Sequence, residues 1–393
     1  MQVYLVPGFF GFASLGSLSY FQRVSDVLRR GLERHGLDAE IVEVNTRPTS
    51  SLRRRALMLL EEVRVRGGLE HDSVHFVGHS TGGLDIRLLL TPGVRLAQTP
   101  FEDALAGRTK SVVTLASPHF GTPLANFFTG LQGRNLLYLL TAMATSGPGR
   151  LGIFATARVL SQIARFDDYL GQRETLLDTI AERLLHDITA ERNHALYEFL
   201  RCIASDQGAM VQLTPESTDL FNAAVGDREG VEYVSFVTAA PPPKLRPRGR
   251  DVYAYATSLL YALSHAVARR EHRHYPYPWD GSSVSDEIAG ALPFALHPGT
   301  NDGVVPTLSQ LWGRLGGVVL GDHLDVVGQF PHTCDGRKYP GWLCSGASFD
   351  DQRFEELWFA IADVIAAAER GRNELDSITA GRTRSVPHLV EVC

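Results

Sequence analysis

The sequence predicts an α/β fold built on a mostly parallel, doubly wound sheet, and three observations lead there. Short apolar runs alternate with helix-spaced apolar patterns over the first 115 residues. The string Gly78-His79-Ser80-Thr81-Gly82 lies directly between one such run and the next helix pattern. From residue 124 to about residue 200 strand character vanishes and several helix-like segments follow, which reads as a helical cap inserted into the core. The chain has 393 residues, more than a typical single domain, and one large core with an insertion accounts for that length.

The apolar run at residues 3–6 stops at Pro7-Gly8, as a buried strand ending in a turn should. Phe21, Val24, Val27, Leu28 and Leu32 then keep helical spacing, and Gly36 stands where a C-terminal cap is expected. Residues 39–44 read as a strand, 52–65 as a helix, 74–77 as a strand, 83–90 as a helix stopped by Pro92, and 112–115 as a strand. Alternation of this kind argues for parallel strands covered on both faces. Strand character returns at residues 233–237, Pro241-Pro242-Pro243 breaks the chain, and 253–267 reads as helical. A loop-rich segment leads to a last strand at 318–320, and residues 354–368 close the core as an amphipathic helix with Leu357, Ile361, Val364 and Ile365 inward. The expected division is a core over 1–123, a mainly helical cap or lid over 124–230, a second part of the core over 231–370 and a polar tail over 371–393. No internal repeat is visible.

Hydrophobic residues make up 44% and charged residues 21%, enough apolar material for a substantial core, which sets disordered and fibrous classes aside. The formal net charge is -6 and the basic residues are scattered, so nucleic acid is not an expected partner. No secretory signal precedes the first strand and no uninterrupted apolar run reaches the roughly 20 residues of a membrane span. The expectation is a soluble, cytoplasmic protein, with export by a signal-independent route left open and oligomeric state unread. Cys202, Cys334, Cys344 and Cys393 lack zinc-like spacing. Reduced thiols are the expectation, although Cys334 and Cys344 could close a small loop in an oxidising compartment.

The chemistry centres on the G-x-S-x-G string. With this chain's Gly and Ser usage such a string arises by chance about 0.2 times, so its strand-turn-helix setting carries the weight. That setting makes a strained elbow with Gly at both flanks, lifting the Ser80 hydroxyl above the carboxyl edge of the sheet. A serine hydroxyl needs a base within reach and an acid to orient that base, and with such an elbow the acid and then the His follow the Ser along the chain. Asn301-Asp302-Gly303-Val304-Val305 places an acid in a turn, and Gly321-Asp322-His323-Leu324-Asp325 places a His just after the last strand. Asp302 and His323 are therefore the expected acid and base. His119, and the H-x-H of His272 and His274, read as structural or loop histidines without a metal partner.

At these residues the chain resembles the bacterial triacylglycerol lipases of the true-lipase type, α/β-hydrolases that often carry calcium. Val6-Pro7-Gly8-Phe9 looks like their oxyanion-loop pattern V-H-G-L/F, and Ala116-Ser117-Pro118-His119-Phe120-Gly121-Thr122 looks like their A-P-H-x-G-S/T segment. Leu213-Thr214 with Phe221-Asn222 resembles a stretch in the cap. Asn301-Asp302-Gly303 resembles the acid motif, and His323-Leu324-Asp325 with Val327 and Gln329 resembles the H-L-D-x-V-x-Q loop. The match runs in order over roughly residues 1–330. It implies an α/β-hydrolase fold, a Ser80, Asp302, His323 triad, and an oxyanion hole from the backbone amides of Phe9 and Thr81. It further implies hydrolysis of lipid-like esters, with a lipid or other ester as substrate and contact with a lipid interface during turnover. The sequence departs from the family at Pro7, where a His is usual, and at Thr81, where Gln is frequent. The same resemblance implies a structural calcium ion and no organic cofactor. Asp325 matches one calcium ligand; for the other, Asp280 stands 22 and Asp286 stands 16 residues before Asp302, and the family spacing of roughly twenty favours Asp280. An acyltransferase or thioesterase would use the same triad, and a catalytically inactive protein that keeps the fold for binding is the reading from another class.

Overall fold

The computed structural model of the chain describes residues 1–9, 14–15, 18–97, 99–129, 206, 208–244, 252–270, 275–334, 337–339, 341 and 343–371. These residues build a six-stranded sheet from β1 (Gln2–Val6), β2 (Glu40–Glu43), β3 (Val74–His79), β4 (Thr109–Leu115), β5 (Glu232–Ala239) and β6 (Arg314–Leu320). The spatial order is β2-β1-β3-β4-β5-β6 and each of the five pairings is parallel. The chain steps from β1 to one side for β2 and to the other side for β3. Loops leaving β1 and β3 therefore part at this switch point, where open α/β sheets form their crevice.

The pleat sorts apolar side chains into two layers. On one face Val3, Leu5, Val77, Val113, Leu115, Val234 and Phe236 pack with α1 (Val24–Glu33) and the last helix, α10 (Asp351–Arg370). On the other, Tyr4, Val6, Val74, Phe76 and Val112 pack with α2 (Leu52–Val65), α3 (Thr81–Leu90) and α4 (Pro100–Arg108). The strands are hydrophobic on both faces because both faces are covered, which is why they read as continuous runs. Gly36 adopts φ 70° just past α1, as its place in the sequence predicts. Trp358 of α10 is fully buried, and its indole N–H donates to Val326 O at 2.9 Å. That bond fixes the single turn Asp325–Val327, two residues beyond His323.

Boundaries moved where apolar periodicity is silent. Helix α3 begins at Thr81, two residues before the expected start, because the turn at Ser80 itself opens the helix. Helix α4 was not anticipated: Leu105 and Ala106 are buried but form no apolar stripe. Its start signal was nevertheless present, since Thr99-Pro100-Phe101-Glu102 puts Pro at the first position and lets Glu102 accept the Thr99 N–H at 3.3 Å. Helix α9 (Ser283–Gly290) falls in the segment expected to be loop; Ser282 caps it and Ile288 is its buried residue.

Within the expected cap, α5 (Pro123–Thr129), α6 (Gly208–Gln212) and α7 (Pro215–Ala224) are helical, while residues 130–205, His272, His274 and the tail lie outside the described residues. Helix α8 (Val252–Arg270) follows β5. Cys344 has no disulfide partner among the described residues, and the Cys334 side chain lies outside them. No described helix is long and apolar enough to cross a membrane.

Candidate active site

Ser80 lies between the end of β3 and the start of α3 with φ 54° and ψ -128°. A non-glycine residue there stores strain of order 1–3 kcal/mol, retained because the surroundings leave no other course. Its amide donates to Leu115 O on β4 at 2.8 Å, and the Gly83 amide closes the turn on Ser80 O at 3.1 Å. The flanking glycines are steric requirements. A Cβ on Gly82 would meet Val6 O at 2.2 Å, and one on Gly78 would meet Gly83 N at 2.6 Å, both backbone atoms with nowhere to go.

The structure brings the three sequence-predicted residues together. Ser80 Oγ is 3.0 Å from His323 Nε2, and His323 Nδ1 is 2.8 Å from Asp302 Oδ2. A carboxylate only accepts, so Nδ1 carries the proton and Nε2 presents a lone pair to the serine hydroxyl. Asp302 is fully buried. Its charge is met by the Val304 and Val305 amides at 2.9 and 2.7 Å on Oδ1, and by the Thr238 hydroxyl at 2.6 Å and Gln310 Nε2 at 3.2 Å on Oδ2. The His323 amide donates to Asp302 O at 3.0 Å, so acid and base loops are also joined through their backbones.

The two expected oxyanion amides, of Phe9 and Thr81, lie on the loop after β1 and at the start of α3. Thr81 is the first residue of α3, and amides in a helix's first turn have no intrahelical acceptor and point outward from a positive dipole end. Gly8 lies against Ser80, since a Cβ built on it would come within 2.4 Å of Ser80 Cβ. Arg55, fully buried on α2, holds the loop from behind. Its Nη2 donates to Pro7 O at 2.7 Å and Gly8 O at 3.1 Å, its Nη1 to Arg47 O at 2.8 Å, and its Nε to Asp85 Oδ2 on α3 at 2.8 Å. Because a trans peptide is planar, holding Gly8 O toward Arg55 turns the Phe9 N–H the opposite way. Burial pushes the Asp85 carboxyl up to about 7 even against the attraction of Arg55, and Asp85 Oδ1 has no partner among the described residues.

The remaining candidates separate from this cluster. His119 is fully buried, bonded to Thr114 Oγ1 at 3.2 Å and Arg87 Nη1 at 3.3 Å, and burial holds its pKa well below the usual value. Arg87 also donates to Asn222 Oδ1 at 3.0 Å, tying α7 to the core. Asp325 is buried and its Oδ2 accepts the Asp322 amide at 2.8 Å; burial raises both carboxyls, Asp322 to about 7. Asp280 stands exposed on a turn closed by its amide on Tyr277 O. No group of three or more His, Cys, Asp or Glu side chains that could hold a metal occurs among the described residues.

Sequence reasoning missed Arg55, Asp85, Thr238, Gln310, Tyr20 and the role of His79. For two a signal existed: Arg55 interrupts the buried stripe Leu52, Ala56, Leu59, Leu60, Val63 of α2, and Asp85 interrupts the apolar run of α3. A charged residue on an inward face implies a buried partner.

A parallel sheet with helices on both faces and a serine elbow at its carboxyl edge defines the α/β-hydrolase fold. Bacterial lipases and esterases are among the solved structures it resembles. Staphylococcus hyicus lipase is 16% identical with TM-score 0.50, over 94% of this chain and 96% of that one. EstA from Clostridium botulinum is 18% identical with TM-score 0.50, over 93% and 87%. Lipase 1 from Pelosinus fermentans is 19% identical with TM-score 0.49, over 92% and 98%. No protein-family model and no curated sequence relative matches the chain.

Proposed function

We propose that this protein is a serine carboxylic ester hydrolase acting on lipid-like esters, with Ser80 as nucleophile, His323 as base and Asp302 as the acid that orients it. The observation that carries the reading is the unbroken line Ser80 Oγ, His323 Nε2, His323 Nδ1, Asp302 Oδ2 at 3.0 and 2.8 Å, built on a serine held at positive φ. As Ser80 Oγ bonds to the ester carbonyl carbon, its proton passes to His323 Nε2 and negative charge moves onto the carbonyl oxygen. The Phe9 and Thr81 amides receive that charge; one such donor is worth about 3 kcal/mol. The tetrahedral intermediate collapses as His323 protonates the departing alkoxide, leaving an acyl-Ser80 ester. A water molecule, deprotonated by His323, then displaces Ser80 and releases the carboxylic acid.

A chromogenic ester should show a burst equal to the enzyme concentration, with Ser80 acylated in the trapped intermediate. Absence of both would remove the reading, and release onto an added alcohol or thiol in preference to water would move it to acyl transfer. Across acyl chains of two to sixteen carbons, kcat/KM should rise through medium lengths, because each buried methylene contributes about 0.8 kcal/mol. A steady decline beyond the shortest chains would leave an esterase of small esters.

The calcium ion stands as a proposal of its own, outside these steps. Calcium takes 6–8 oxygen ligands, so Asp280 and Asp325 would need main-chain carbonyls and water to complete its shell. A bound ion stabilises the folded state by mass action: chelator should lower the melting temperature and calcium should restore it. An unchanged melting curve with no metal by elemental analysis would remove the ion.

A further inference from the structure

Behind the triad runs a second line of hydrogen bonds that the acyl-transfer steps do not use. The Gly8 amide donates to Tyr20 Oη at 2.9 Å, Tyr20 Oη lies 2.7 Å from His79 Nδ1, and His79 Nε2 lies 2.8 Å from His323 O. Tyr20 and His79 are both buried. The polarity of the line follows from its ends. A backbone carbonyl only accepts, so His79 Nε2 carries the proton and donates to His323 O. Nδ1 is then a bare lone pair and takes the Tyr20 hydroxyl proton, which leaves the Tyr20 oxygen to accept from Gly8. The Gly8 amide, the Tyr20 hydroxyl and both His79 ring nitrogens are thereby satisfied, as buried groups must be. Burial, and next to it the neighbouring His323, hold the His79 pKa well below the usual value, so the ring stays neutral as the line requires.

We infer that Tyr20 and His79 are positioning residues, a strut that sets the spacing between the Gly8-Phe9 amides and the catalytic His323. The line joins the loop that receives negative charge to the backbone of the residue that receives the proton. His323 is held on both sides, its amide on Asp302 O and its carbonyl on His79. Gly8 is likewise held through both of its peptide groups, by Tyr20 on its amide and by Arg55 on its carbonyl. Charge separates across this gap at the transition state, so a shift at either end weakens both stabilising partners together. Misplacement by about 1 Å is enough to cost on the order of 10²-fold in rate.

The inference rests on the acyl-enzyme reading, and the experiment keeps the two apart. Tyr20→Phe keeps the ring packed against Phe21 while removing the hydroxyl, and His79→Ala and the double variant complete a cycle. Active sites are counted by the burst, then kcat per counted site and KM are measured with a soluble short-chain ester, beside the melting temperature. The strut requires kcat per counted site to fall roughly 10- to 100-fold in each single variant with KM held within about twofold. The double variant should lose no more than the worse single one, the signature of residues acting as a unit. Variants that lose burst amplitude or melting temperature while keeping kcat per counted site would make these residues structural only and overturn the inference. Additive losses would overturn the single line. A parent with neither a burst nor a trapped acyl-Ser80 would overturn the acyl-enzyme reading and the strut with it.

Discussion

On the proposed reading Ser80→Ala and His323→Ala should each lower ester turnover by about 10⁴- to 10⁶-fold, because a triad acts as a unit and losing any member forfeits most of the gain. Asp302→Ala falls at the lower end of that range, since the lone pair on His323 Nε2 survives but the ring loses the group that fixes its tautomer and direction. What remains in all three is the contribution of the oxyanion amides and substrate binding, so Ser80→Ala combined with His323→Ala should cost little more than either alone. Folding should persist in Ser80→Ala, which relieves nothing and removes one hydroxyl from a backbone held by Leu115 O and the Gly83 amide. Single-turnover rates with circular dichroism on the same samples check this. Turnover by Ser80→Ala within tenfold of the parent would place the nucleophile elsewhere, and near-normal turnover by Asp302→Ala would place the acid elsewhere.

Much of this site was legible because its chemistry is local in sequence. The elbow needs two glycines and a serine between a strand and a helix, and Asn301-Asp302-Gly303 and His323 sit on loops at the same sheet edge, so short strings carried the assignment. The helices α1, α2 and α10 were legible for a similar reason, each burying a stripe at helical spacing. Helices α4 and α9 were not, because they bury few residues and announce themselves through caps rather than periodicity. The support around the triad was hidden for a different reason. Thr238 on β5 and Gln310 beyond the acid turn meet Asp302 only after the sheet is assembled. His79 was read as the unspecified second residue of the motif, yet its ring spans from Tyr20 to the carbonyl of a residue 244 positions away. Such pairings are set by topology, which no single string contains.

Arg55→Met should damage stability and catalysis together, and the stability loss should grow with pH. Methionine keeps most of the volume of the buried stem but abandons Asp85, Pro7 O, Gly8 O and Arg47 O at once. Breaking a buried ion pair by removing one partner costs on the order of 3–5 kcal/mol where the survivor stays charged and dry, a cost Asp85 escapes wherever it takes up a proton. The pH dependence follows from Asp85. Its folded pKa of about 7 lies above that of the unfolded chain, so the parent loses stability from this group as pH rises toward 7 and levels off beyond. Removing Arg55 takes away an attraction that lowers this pKa, so in the variant it rises further and the loss continues above pH 7. Urea unfolding should therefore show a smaller gap between parent and variant near pH 5, where the lost backbone contacts dominate, than near pH 8. Asp85→Asn added to Arg55→Met should remove the pH dependence, because the amide cannot ionise, while leaving kcat depressed, because Pro7 O and Gly8 O are still released. A gap that stays constant from pH 5 to pH 8 would show that Asp85 does not titrate differently in parent and variant over that range, and would overturn the pH-dependent part of this prediction.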